Sequence, residues 1–252
     1  MTSTFAFVFT ALASASASAA AAASAAPSGG TGDAWEKAFI ALAASVLGAG
    51  LAFAFNRLAQ WRQEKNEALI AAHRILFCLL QQANLIIMYQ KDVVLPREKS
   101  QIKFIDIPAT IDFDLSMNLF DFDSFGFLLK SSKGRGIMYD LYFAQQSYLA
   151  TFRAINERSR EHRELLQPKI VEIGLGAEQP VSMSKLIADL GPRVCGTMQG
   201  ATEQVLSLLP SSFEKVIKAT TDFRAFAVQY FGTDDFTKFE FPETYGLTKS
   251  PK

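Results

Sequence analysis

Residues 38–55 read AFIALAASVLGAGLAFAF, eighteen positions with no charge and a single hydroxyl, Ser45. An α-helix rises about 1.5 Å per residue, so this stretch covers roughly 27 Å, close to the thickness of a hydrocarbon core. Trp35 lies just before it and Trp61 just after, which suits the two water–lipid interfaces. The competing reading is a buried core helix of a soluble protein, but such helices seldom run this long without polar residues. The expectation is a transmembrane helix over residues 34–56 that leads into a helical domain over 57–232.

Basic residues give the span a direction. Arg57, Arg62, Lys65 and Arg74 follow it, whereas Lys37 is the one basic residue before it. The positive-inside rule then places the C-terminal bulk in the cytoplasm and the N-terminal side outside, a single-pass arrangement in the cytoplasmic (inner) membrane. Residues 1–33 form an Ala/Ser-rich leader. It reads either as a signal peptide with A-x-A-like cleavage choices, or as a disordered extension or a start placed too far upstream. A signal peptide would lack its usual basic n-region. Both readings give the same topology. Pro27-Ser28-Gly29-Gly30-Thr31-Gly32 is a breaker cluster, and Asp33 with Glu36 has capping-box spacing, so the helix is expected to start near Ala34.

Within the span, Ala44, Gly48 and Ala52 recur every four residues, as do Ala41, Ser45 and Ala49. Small residues at this spacing let two helix backbones approach closely, although an Ala-rich span produces the pattern by chance as well. Ala44, Gly48 and Ala52 are the candidate face for helix association.

Formal charge is balanced, with 25 basic and 25 acidic residues, and no Lys/Arg-rich run marks a nucleic-acid footprint. Twenty-two Phe favour a core with aromatic plugs. Cys78 and Cys195 sit in apolar helical patterns outside any C-x-x-C pair, where Cys usually acts as a small buried hydrophobe.

The helix is expected to continue to Gln90, since no Pro or Gly interrupts Asn56–Gln90. Leu58, Trp61, Ala68, Ala72, Ile75, Leu79, Ile86 and Tyr89 follow a heptad-like track, with Lys65 and Gln82 as polar interruptions. Leu69, Leu76 and Ala83 widen the stripe, which suits an antiparallel helical bundle better than a two-stranded coiled coil. Around residues 100–116 apolar and polar residues alternate, predicting a short extended or β-like insert that lies along the helices or pairs as a hairpin. Asp112, Asp114, Asp121 and Asp123 resemble a calcium loop. Counted from Asp121, however, Phe125 and Ser132 occupy positions that need oxygen donors, so acidic residues on a wet face, or an N-cap at Asp123, fit better.

Lys130–Gly136 reads as a loop, followed by a helix from about Ile137 to Leu166 with Ile137, Leu141, Ala144, Tyr148, Phe152 and Ile155 inward. Its last part, Asn156–Glu164, is densely charged. Mixed charges at helical spacing usually form a solvated, paired surface. The sharper reading is a patch for a protein partner or lipid headgroups, made of Arg158, Arg160, His162 and Arg163. Pro168–Pro180 reads as a connection. A short helix to Leu190, a restart at Gly191-Pro192, a break at Pro210 and a last helix from Ser211 or Ser212 to Tyr230 follow. Residues 233–252 form an extended tail.

No H-E-x-x-H, Glu-x-x-His pair, Cys/His cluster, Walker loop, Rossmann fingerprint or G-x-S-x-G elbow occurs. No metal and no cofactor is therefore expected. An enzyme would need a site dispersed along the chain. Three segments, Phe125–Ser131, Ile155–His162 and Leu190–Val194, in that order after one N-terminal span, resemble a group of uncharacterised bacterial single-span membrane proteins with a cytoplasmic helical domain. The resemblance covers about residues 34–240 and implies a bacterial cytoplasmic membrane; it carries no activity and no site residue. The expected partners are the lipid bilayer, a second copy of the chain or an unidentified protein, with no nucleic acid. The function expected is association through a membrane-anchored scaffold. Alternatives are a sensor or effector passing a signal along the long helix, and an enzyme with a dispersed site.

Overall fold

The computed structural model describes residues 31–116, 118–174, 183–240 and 247. The expectations for residues 1–30 of the leader and for most of the last twelve residues lie outside them. The described chain is mainly helical, with no strand among the described residues. It divides into two compact units between Gln63 and Glu64.

The first helix, α1, runs Thr31–Tyr89 without a break. Thr31 is already helical, so Asp33 lies inside the helix and does not cap it. In the first unit every residue from Phe39 to Leu58 is exposed. By length and composition α1 can cross a membrane, and none of its most apolar window is buried.

The second unit packs the rest of α1 with α4 (Ser132–Glu161) and α7 (Pro192–Phe231). Their core faces follow the helical period. Ala72, Ile75, Leu79, Ile86 and Tyr89 of α1 are buried together with Ile137, Leu141, Ala144, Tyr148, Phe152 and Ile155 of α4. From α7 come Val205, Leu209, Phe213, Val216, Phe223 and Phe226. Fully burying a side chain such as Phe213 or Phe223 contributes about 1.5–3 kcal/mol. Pairs between α4 and α7 run in opposite sense: Lys133 reaches Gln229, Asp140 faces Lys218, Ser147 meets Lys215 and Arg158 meets Thr202. A smaller cluster gathers Phe104, Leu166, Leu186, Leu190, Cys195 and Met198 around α6 (Met183–Leu190).

Four boundaries differ from expectation. Helix α4 begins at Ser132, five residues early, because Ser131 Oγ accepts the Gly134 N–H at 2.9 Å. Gly134 is required there, since a Cβ would sit 2.2 Å from the Leu128 carbonyl oxygen. Pro210 does not end a helix; α7 passes through it. An interior proline costs about 3 kcal/mol in a helix, and the buried residues on both sides, Val205, Leu209, Phe213 and Val216, offset it. Asp121, not Asp123, is the cap, and its carboxylate accepts the Asp123 N–H ahead of the turn Phe122–Phe125 and helix α3 (Gly126–Leu129).

The fourth difference concerns prolines at helix ends. Gln90–Val94 and His162–Leu166 are both π turns, and each ends two residues before a proline, Pro96 and Pro168. A proline clashes with the carbonyl four residues back, and a widened turn relieves that clash. After Pro168 the chain stays helical as α5 (Gln167–Glu172), where a connection was expected. Beside Pro96, the Arg97 guanidinium donates to the carbonyls of Asp92 and Val93, at 3.4 and 3.0 Å. Asp92 is the residue whose carbonyl Pro96 cannot satisfy.

The insert around 100–116 is not a hairpin. Lys103–Asp106 forms a short helix, α2, and residues 108–114 have no regular structure. The C-terminal segment after Gly232, which caps α7 at φ +70°, returns along the second unit. There Phe236 stacks on His73 and packs against Phe231.

Candidate functional site

The segment expected to face a partner turns out to hold the chain itself. Arg158 on α4 and His162, the first residue of the π turn that follows it, are one turn apart and both are buried. The Arg158 guanidinium donates to the carbonyls of Phe104, Ile107 and Pro108 at 3.3, 2.5 and 3.2 Å, and to Thr202 Oγ1 at 2.9 Å. The Phe104 and Ile107 carbonyls are unpaired acceptors at the C-terminal end of α2, where a cation is favoured, and the Pro108 carbonyl follows them in the chain. Among the described residues no carboxylate is bonded to Arg158. Its compensation comes from carbonyl dipoles, and burial pulls its pKa down, while the Tyr89 phenol pulls the other way. His162 Nε2 lies 3.5 Å from the Ile105 carbonyl. Burial lowers the His162 pKa first, then the Arg158 charge.

Neighbouring side chains complete the attachment. Asn156 bonds both backbone groups of Phe113, accepting from its N–H at 2.9 Å and donating to its carbonyl at 3.0 Å. Ser159 Oγ accepts the Thr110 N–H at 3.2 Å. Arg163 donates to the Thr110 carbonyl and to Asp112, at 2.7 and 2.8 Å. A non-helical segment needs partners for its backbone polar groups, and α4 supplies them from side chains where a sheet would use a neighbouring strand. Of the four patch residues, Arg160 alone points wholly outward, paired with Glu157. Arg158 and His162 are therefore removed from any exposed patch, and Arg163 is half committed to the insert.

A second polar knot was invisible in the sequence. Asn118, at φ +67°, turns its carbonyl toward α1, where Gln82 Nε2 and Cys78 Sγ donate to it, each at 2.8 Å. Gln145 of α4 accepts the Phe120 N–H at 2.6 Å. The polar break at Gln82 in the apolar track is thus the reader of one turn. Burial pushes the Cys78 thiol up to about 12, so Cys78 serves as a neutral donor.

Ala44, Gly48 and Ala52 lie on the exposed part of α1, and a Cβ at Gly48 would meet nothing within 4 Å. The face is open along its length, as close helix approach requires.

Two of the concavities on the second unit are lined by described residues. One, of about 290 Å³, is lined by Ser100, Lys103, Phe104, Gln199, Thr202 and Glu203 among others. Of its polar groups, Gln199 donates to Glu203 at 2.9 Å, Ser100 donates to Asp106 and Thr202 accepts from Arg158. No base is placed on a nucleophile there. The other is a groove of about 400 Å³ lined by Phe122, Leu129, Arg135, Met138, Tyr139 and Tyr142, apolar apart from Arg135 and the tyrosine hydroxyls. Among the described residues no group of three His, Cys, Asp or Glu could hold a metal ion. The four Asp at 112–123 are dispersed on capping and pairing duties, Asp112 with Arg163, Asp114 with Ser116 and Asp121 with Asp123.

The chain matches no family model, no curated protein and no solved structure.

Proposed function

We propose that the chain is a membrane-anchored helical protein that works by association, with a second copy or with a partner protein, and not by catalysis. One observation carries this reading. The apolar stretch of α1 is fully exposed over Phe39–Phe55, while the same helix continues into a unit with a buried core. An apolar surface of that size outside a core marks a membrane or an interface. In the finer form of the proposal, residues 34–56 cross the cytoplasmic membrane of a bacterium and the helical bundle lies in the cytoplasm. The basic residues Arg57, Arg62, Lys65 and Arg74 support that direction. Within the span, Ala44, Gly48 and Ala52 form the contact between copies. The resemblance to single-span bacterial membrane proteins belongs to the same proposal.

The test is cross-linking of the full chain in its membrane, with Gly48→Leu and Ala52→Leu beside it. A dimer or partner band that the two leucines weaken is the expected result. Monomer alone, with no partner captured, would sink the reading.

A further inference from the structure

We infer that the groove formed by Phe122, Leu129, Arg135, Met138, Tyr139 and Tyr142 seats on the anionic phospholipid surface of the membrane that anchors the chain. The inference rests on the reading that residues 34–56 span that membrane, and it gives the second unit its own contact with lipid.

Three observations converge on lipid. The first is exposed aromatic surface. Tyr139 is 67 % and Phe143 60 % exposed, and both stand on the outer side of α4 beside the groove, with Leu129 at its lip. Tyrosines and phenylalanines with one wet side are the residues that populate the water–lipid interface. The second is charge. Arg135 lines the groove and Lys133 precedes it by two residues. Among the described residues neither is paired with a carboxylate: Lys133 donates to Gln229 at 2.7 Å, and Arg135 donates to the Leu129 carbonyl at 3.2 Å. Basic side chains beside apolar ones are attracted to anionic headgroups by about 1 kcal/mol each. Asp121 and Asp123 flank Phe122 in the chain, so Arg135 and Lys133 are the residues that meet the headgroups.

The third observation is tethering. Lys130, next to Leu129, lies 3.5 Å from Glu64. Glu64 follows Phe55 by nine residues. Covalent reach alone, about 3.3–3.6 Å per residue, keeps Glu64 within roughly 30 Å of the end of the apolar stretch. A unit joined to the apolar stretch by so short a run of chain meets lipid at high effective concentration.

The experiment uses the full chain with Trp35→Phe and Trp61→Phe, so that one introduced indole reports. Tyr139→Trp places it at the groove. Gln204→Trp places it on α7, 25 residues before the Lys133 partner Gln229, about 38 Å away along that helix. Each variant is reconstituted in vesicles of phosphatidylcholine and phosphatidylglycerol, with or without bromine on the acyl chains. For Tyr139→Trp, bromolipid is expected to lower emission by roughly half, as for a ring seated about 5–10 Å into the interface. Gln204→Trp should not respond. Adding Lys133→Glu and Arg135→Glu should abolish the quenching. Equal emission from Tyr139→Trp in both vesicles overturns the inference. So does quenching that survives both charge reversals, or a spectral shift that follows protein density rather than bromine and so marks a second copy. Alkaline extraction of the same vesicles reads the span separately. A chain that stays in the membrane with an unquenched groove retires the groove alone, and a chain that is washed out retires the anchoring itself.

Discussion

Arg158 carries a full charge into a buried site and meets no anion among the described residues. It is tolerated because the carbonyls of Phe104, Ile107 and Pro108 converge on it with Thr202, and a rigid five-donor fork matches such a set. Arg158→Met removes the buried charge but leaves those acceptors dry, at about 1–3 kcal/mol for each one that water cannot reach. Set against the relieved desolvation, the expected net loss is about 2–4 kcal/mol, read as a shift in the chemical denaturation midpoint. Arg158→Lys should recover little of it, because an ammonium lacks the fork. A midpoint unchanged in Arg158→Met would mean that the insert is held by packing alone. His162, one turn on, adds a pH dependence. Its folded pKa is depressed by burial, Arg158 and Arg163, while the unfolded value is about 6.5. Above that pH neither state binds the proton and stability is whole. As pH falls below about 6.5 the unfolded chain takes up a proton that the folded chain refuses, so stability declines by up to about 1.4 kcal/mol per unit. Between pH 6.5 and 5.5 the decline should disappear in His162→Gln, and its persistence there would assign the slope to other groups.

At the scale of elements, the apolar faces of α1, α4 and α7 were legible because burial imposes a period. Ile75, Leu79 and Ile86 repeat it, as do Leu141, Tyr148 and Phe152. Polar attachments have no period. Gln82 looks like a flaw in the track and Arg158 looks like one more surface charge, since each is explained by a single carbonyl set far along the chain. Proline was over-read for a related reason: Pro210 is a breaker in isolation, yet packing on both sides holds α7 together across it. Two substitutions separate the sequence rule from the structure. Gln82→Leu perfects the apolar track and by pattern alone should stabilise. With Asn118 left to the weak thiol donor, it should instead cost about 1–2 kcal/mol. Pro210→Ala should restore a backbone bond in α7 and gain about 1–2 kcal/mol after the looser unfolded chain is counted. Both are read in the same denaturation experiment, and a stabilised Gln82→Leu would remove the Asn118 knot from the account.

For the molecule as a whole, the proposal that α1 spans a membrane carries a direction, and the two native cysteines make that direction measurable. Both are buried, and burial raises both thiols, Cys78 to about 12. Only the thiolate reacts appreciably with a maleimide, so these positions stay silent near neutral pH. Ser207, exposed on α7, can therefore carry the one reactive thiol as Ser207→Cys in an otherwise native chain. With the second unit in the cytoplasm, an impermeant maleimide added to intact cells should leave that thiol unlabelled, and permeabilisation should expose it. The direction is attributed to basic residues within about 15–20 positions of the span; Arg57, Arg62, Lys65 and Arg74 outnumber Lys37. Changing Arg57, Arg62 and Lys65 to Glu removes most of that bias and should let a measurable fraction of chains become labelled without permeabilisation. Labelling of the parent chain in intact cells would reverse the topology. It would also move the Arg135 groove to the outer leaflet, where the anionic lipid it is proposed to meet is no longer the cytoplasmic one.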